Sequence, residues 1–439
     1  MKKEEKLKLN LDSLCVYREL FKEKLGLKFK ILADKLTEDS SFGDCINAYN
    51  EFAYALYKRS KNLSFKECIV DDMLLNNNPF NLSLENDGNI SDFIKEGIRN
   101  ELTCLSNIVT VNSKVIKEIM QYKYGENGVV AKKIEGLLDW GVENNKYKAK
   151  NQTDFEKTKE KIINTEDLEK IANDLITFHS NNGTGRATAF SAFVWERFDN
   201  EDEGRLREIA EPDPIRLKDL IGYESQKKEI EDNTANFLKG VPSNNLLLYG
   251  SRGTGKSSTV KALINEYYKD GLRLIEVDKD QLSDFTRIIR LLRHKKQKFI
   301  IFVDDLVFQE NEASYSALKT ILEGRIENRP DNILIYATTN RRHLVQEKFS
   351  DRGDDVHSKD TKEEQLSLAD RFGITISFFA PDQNEFLDIV DGIVTLRGLN
   401  IDKEYLHSEA LKWEKWHNGR SPRSAKQFID WLEGNLRAN

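Results

Sequence analysis

Residues Gly250-Ser251-Arg252-Gly253-Thr254-Gly255-Lys256-Ser257 satisfy every position of G-x-x-x-x-G-K-[ST], and each residue type has a task in holding phosphate. The glycines let the backbone curl so that successive N–H groups converge on anionic oxygens, and the helix that follows adds the positive end of its dipole. Lys256 supplies a cation for β and γ phosphates, and the Ser257 hydroxyl suits one coordination position on Mg²⁺. Ser251, Arg252, Thr254 and Ser258 belong to the same cradle. A second run, Phe299 to Val303, reads as a buried strand ending in Asp304 and Asp305. Asp304 is placed to hold the metal's water shell, and Asp305 to polarise an attacking water. The chemistry is phosphoryl transfer from a nucleoside triphosphate. Gly183-Thr184-Gly185 lacks the Gly-Lys-Ser ending and reads as a plain loop.

These residues need a scaffold, and the second half of the chain supplies alternating elements. Leu246 to Tyr249 reads as a strand, Lys256 to about Tyr268 as a helix, and Leu272 to Val277 as a strand. Helices at Gln281–Arg293, near Ser314–Glu327 and at Leu366–Phe372 alternate with the strands at 299–303, Ile333–Ala337 and Ile374–Phe378. Continuous apolar strands between helices predict an α/β fold of the P-loop type, a parallel sheet with helices on both faces, over residues 212–380. From Pro381 the strand signal ends, and Phe386, Ile389, Val390 and Ile393 form one helical stripe, so 381–439 reads as a small helical lid.

Ahead of Pro212 the only proline is Pro79, which permits long helices. Cys45, Tyr49, Phe52 and Leu56 share one helical face, as do Leu168, Ile171, Leu175 and Phe178, with Thr165 as the expected N-cap of the latter. Asn76 to Pro79 reads as a loop. Residues 1–205 are therefore expected to form a helical N-terminal domain available for partner binding. The stretch from Asn181 to Pro214, with an apolar patch ending at Trp195 and an acidic tail, reads as a linker with a boundary near 205–211.

Composition sets outer limits. The 439 residues suit two or three domains, and 67 Lys and Arg against 74 Asp and Glu remove the global basic footprint of a nucleic-acid binder. No apolar run approaches a bilayer span and the N-terminus has no apolar signal core, so no membrane association and a cytoplasmic location are expected. Cys15, Cys45, Cys68 and Cys104 are too scattered for a zinc site and read as buried free thiols.

From Asp213 to Asn439 the residues resemble AAA+ ATPases. Asp213 to Tyr223 is similar to the family's segment that packs on adenine, which implies contacts from Ile215, Leu220 and Ile221; ordinary core packing accounts for these residues equally well. Tyr336-Ala337-Thr338-Thr339-Asn340 resembles the sensor 1 strand end, implying that Asn340 helps to position the water, with Thr339 as its neighbour. Leu368-Ala369-Asp370-Arg371-Phe372 resembles the segment carrying the arginine finger. It implies that Arg371 enters the nucleotide site of an adjacent subunit in a homo-oligomer. Gly419 to Arg423 resembles sensor 2, with Arg423 reaching the phosphates from the lid.

As a whole the chain most resembles a bacterial family of predicted AAA+ ATP-binding proteins of unknown function, with branch-migration motors and replication initiators as more distant likenesses. The resemblance implies ATP and Mg²⁺. Asp305 stands where the family usually has glutamate; being one methylene shorter, it either activates water with shifted geometry or hydrolyses slowly. Arg341 to Gln365 exceeds a minimal connection and reads as a mobile surface insertion. The resulting expectation is an ATP hydrolase that remodels or loads a protein or nucleic-acid partner. The alternatives are a slow ATP-dependent switch or DNA-associated loader and, third, a small-molecule kinase. Basic runs at Arg287–Lys298 and Arg420–Lys426 keep nucleic acid open as the partner, although a solvated helix face explains the first.

Overall fold

The computed structural model describes residues 1–22, 24–60, 62, 64–87, 90–141, 147–150, 153–197, 204–307, 318–319, 322, 330–340, 371–417 and 419–438. The chain divides into two compact units, Met1–Ala189 and Phe190–Asn439.

The first unit is built from helices among its described residues. The stripe Cys45, Tyr49, Phe52, Leu56 is buried on the helix Phe42–Arg59, which starts where Ser41 Oγ accepts the Asp44 N–H. Phe52 and Phe65 meet Phe29 at centroid distances of 5.2 and 4.4 Å, and Trp140 closes on Phe52 at 5.0 Å, giving an aromatic centre. Asn76–Asn78 is a loop, and Pro79 opens the helix Pro79–Asp87, where its missing N–H costs nothing. Two expectations change. Thr165 does not cap the segment that follows it: it ends the helix Asp154–Asn164, its hydroxyl donating to the Lys161 carbonyl, while Asp167 accepts the Glu169 N–H at the start of Leu168–Ile171. Cys45 and Cys68 are buried, but Cys15 is exposed and Cys104 half-buried.

The second unit carries a seven-stranded sheet: β1 (Ala192–Arg197), β2 (Gly204–Ile209), β3 (Asn245–Gly250), β4 (Leu272–Glu276), β5 (Lys298–Val303), β6 (Ile333–Thr339) and β7 (Gly373–Phe378), in the spatial order β2-β1-β4-β5-β6-β3-β7. β1 and β3 to β7 are parallel, and β2 runs antiparallel to β1. β5 and β6 are almost wholly buried because both faces are covered, which is why they read as unbroken apolar runs. On one face Leu246, Leu248, Ile300, Phe302 and Leu334 pack with Ile230 and Phe237 of the helix Glu224–Leu238 and Val260 and Leu263 of the helix Lys256–Tyr267.

The boundary expected near 205–211 is displaced, since Ala192–Arg197 and Gly204–Ile209 are not linker but paired strands of the sheet. Trp195 is buried there, and its Nε1–H donates to Asp284 Oδ2 at 2.9 Å. The segment expected as one helix, Gln281–Arg293, is a 3₁₀ turn, Lys279–Asp284, followed by the helix Phe285–Leu292. The helix expected near 314–327, the insertion at 341–365 and residues 366–370 lie outside the described residues, apart from 318–319 and 322. Three helices, Gln383–Leu396, Lys403–Trp416 and Pro422–Ala438, close the chain around their own core of Phe386, Ile389, Leu406, Phe428 and Ile429. Asp382 and Glu385 form a capping box that starts the first of them.

Candidate functional site

The phosphate-type loop leaves β3 at Gly250. Gly250 has φ 135°, and a Cβ there would sit 2.1 Å from the Phe378 carbonyl oxygen of β7, so only glycine permits the approach. Gly253 at φ 77° completes the curl against Ser421 and Arg423. The helix Lys256–Tyr267 then begins, with its first amides directed back towards the loop.

Lys256 is only 6% exposed, and its Nζ donates to the carbonyls of Gly250 at 3.0 Å and Ser251 at 2.8 Å and to Asn340 Oδ1 at 3.1 Å. Burial pushes its pKa down to about 8, opposed by the nearby Asp304 and Asp305 carboxylates and reinforced by Arg423. Ser257 Oγ donates to Asp304 Oδ1 at 2.5 Å. This hydroxyl and carboxylate form a hard oxygen pair of the kind that holds Mg²⁺ while waters complete the octahedron, so the residues present fit that ion.

Parallel register brings the ends of β5 and β6 beside the loop. Val303 pairs with Ala337, placing Asp304 and Asp305 next to Thr338, Thr339 and Asn340. Asn340 Nδ2–H donates to Asp305 Oδ1 at 2.6 Å while its Oδ1 accepts from Lys256, so one amide bridges the cation and the anion. Asp305 adopts φ 50°, a left-handed conformation that Asp tolerates better than most residues.

A cleft of about 1070 Å³ opens over this cluster, with Arg252 to Thr259, Asp304, Asp305, Thr338 and Asn340 among the residues that line it. Ile215, Leu220, Ile221, Ile389 and Ile393 supply apolar lining. Ile215 and Leu220 also pack on the sheet core and Ile221 on the helical C-terminal core, so core packing and cleft lining both hold for them. Arg423 lines the cleft, and its backbone N–H donates to the Gly253 carbonyl at 3.1 Å.

Not every expected residue joins the cleft. Ser251 turns away: its N–H donates to the Phe378 carbonyl at 2.8 Å and its Oγ accepts the Ala380 N–H at 3.1 Å, tying the loop to the strand that leads into the C-terminal helices. Arg371 is half-buried just before β7, at the edge where Gly373 pairs with Asn245, whereas the loop leaves from the opposite end, where Phe378 pairs with Gly250. That separation is roughly 17 Å along the strand, so Arg371 stands apart from the cleft of its own chain. Among the lining residues that the sequence reading did not place at the site are Thr338, Lys227 and Arg397. Thr338 carried a faint signal, since it is a hydroxyl residue at the end of a strand adjacent to the one bearing the carboxylates.

A family profile described as "Protein of unknown function (DUF815)" matches residues 188–436, close to the limits of the second unit. Among curated proteins, the Replication factor C large subunit of Staphylothermus marinus is 32% identical over 117 residues, covering 25% of this chain and 27% of that protein. The AAA-ATPase At2g46620 of Arabidopsis thaliana is 29% identical over 151 residues, covering 32% of this chain and 29% of that one. The chain thus spans less than a third of the length of either relative. Among solved structures, the Thermotoga maritima RuvB Holliday junction branch migration motor is similar at 19% identity and a TM-score of 0.33, covering 48% of this chain and 62% of that one.

Proposed function

Because the chain belongs to the family described as protein of unknown function (DUF815), within the AAA+ ATPase superfamily, we propose that it binds ATP with Mg²⁺ in the cleft over Lys256 and hydrolyses it to remodel or load a macromolecular partner. The carrying observation is the hydrogen-bonded cluster of Lys256, Ser257, Asp304, Asp305 and Asn340 in a cleft that Ile215, Leu220, Ile221, Ile389 and Ile393 also line.

In this reading the loop amides and Lys256 hold the phosphates, and Ile215 and Ile221 pack on the base. Ser257 and Asp304 would hold Mg²⁺, which would supply positive charge against the phosphates. Asp305 accepts a proton from the attacking water, and Asn340 orients that water. Arg423 adds positive charge from the C-terminal helices. Arg371 is remote from its own cleft and acts on the site of a neighbouring copy, which makes the working form an oligomer. The nucleotide-binding core, expected over 212–380, is extended at its start by β1 and β2; the lid is assigned to 381–439 and partner binding to the N-terminal helices.

Steady-state phosphate release by the purified chain with MgATP tests this. Turnover that disappears in Asp305→Asn supports hydrolysis. Tight ATP binding without turnover favours the second reading, an ATP-dependent switch, for which the engagement of Asp305 by Asn340 is the motivating contact. Phosphate transferred to an added metabolite instead of water would replace both with a kinase.

A further inference from the structure

In an extended strand consecutive side chains point to opposite faces, so Asp304 and Asp305 would face apart. Instead both line the cleft. The alternation is broken by the left-handed turn at Asp305, φ 50°, and Thr338 holds the backbone on both sides of it, the Asp305 N–H also donating to Asp304 Oδ1 at 3.2 Å. The Asp305 N–H donates to Thr338 Oγ1 at 3.0 Å, and the Leu306 N–H donates to the Thr338 carbonyl at 2.7 Å. The same Thr338 hydroxyl donates its proton to Asp304 Oδ1, the oxygen that also receives the Ser257 hydroxyl. Thr338 is 1% exposed, so its own end of each of these bonds is buried, while Asp305 is exposed.

We propose that Thr338 is a positioning residue for both carboxylates: its hydroxyl and carbonyl hold the turn that brings Asp305 round beside Asp304. The turn offsets the missing methylene of Asp305, because the backbone itself is redirected towards the cleft. This rests on the hydrolytic reading of the cleft, while the clamp is a property of the chain that is measurable without turnover.

Thr338→Val keeps the shape and removes the hydroxyl; Thr338→Ser keeps the hydroxyl and removes the methyl. Three quantities decide the matter: turnover at saturating MgATP, equilibrium affinity for a fluorescent ATP analogue, and hydrogen exchange of the Asp305 and Leu306 amides. The expected result for Thr338→Val is a fall in turnover of about tenfold or more with affinity changed less than about threefold, as for loss of a positioned general base. The Asp305 amide should exchange faster while amides within β5 and β6 keep their protection, and Thr338→Ser should restore both readouts. Unaltered Asp305 exchange in Thr338→Val overturns the clamp. Faster exchange with wild-type turnover overturns the positioning role, as does equal loss of affinity and turnover that serine does not rescue. A wild-type chain that binds the analogue without turning over ATP sinks the hydrolytic reading itself, and the positioning role with it, even where the exchange result stands.

Discussion

Lys256 Nζ donates to Asn340 Oδ1 at 3.1 Å, joining the phosphate loop after β3 to the end of the adjacent parallel strand β6. An amide offers a donor and an acceptor in one plane, and here the donor side holds Asp305. The ammonium therefore has three protein oxygens as partners, and a bound phosphate must compete with them.

Lys256→Met removes that ammonium while keeping the length of the side chain. Loss of charge-assisted bonds of roughly 1.5–3 kcal/mol should weaken MgATP binding about 10- to 100-fold in calorimetric titration. Unchanged affinity would move the nucleotide to another site.

Affinity should also depend on pH. The free protein's Lys256 titrates near 8, lowered by burial, and bound phosphate favours its charged form. Binding above pH 8 then requires proton uptake, so affinity should decline by up to about tenfold per pH unit from there, until the higher pKa of the bound state is passed. Below pH 8 this contribution is flat. The check is the dissociation constant measured from pH 7 to 9.5 in wild type and in Lys256→Met, which should lack the decline.

Asp305→Asn keeps a residue type that tolerates φ 50° and should leave the thermal midpoint and ATP affinity nearly unchanged. Turnover should fall on the order of 10²-fold or more if the carboxylate serves as the base. Wild-type rates in this variant would remove Asp305 from the chemistry.

Arg371→Ala should bind ATP normally and lose turnover. Mixing it with Asp305→Asn discriminates further: one subunit keeps an intact cleft and the other an intact arginine, so mixed oligomers should regain part of the activity that neither has alone. No recovery despite demonstrated mixing argues against action on a neighbour's site.

Gly250→Ala drives a Cβ to within 2.1 Å of the Phe378 carbonyl oxygen, at a φ that side chains rarely adopt. Destabilisation of about 1–3 kcal/mol is expected from chemical denaturation. A stability equal to wild type would contradict the close pairing of Gly250 with Phe378.

The amino-acid sequence alone determined the parts whose chemistry is carried by covalent neighbours. The loop from Gly250 to Ser257 and the acids ending the Phe299–Val303 strand are legible because local spacing fixes them. The alternation of apolar strands with helices likewise foretold a parallel sheet, since burial on both faces leaves unbroken apolar runs. Tertiary structure decided what depends on strand order and register. Placing β6 between β5 and β3 brings Thr338 and Asn340 to the carboxylates and to Lys256, and parallel pairing of β1 with β4 turns an apparent linker into sheet. It also turned Ser251 to Ala380 and set Arg371 at the far edge of β7. Such contacts join residues distant in the chain, and their partners are selected by which faces can be buried together, a choice that no local pattern of residues records.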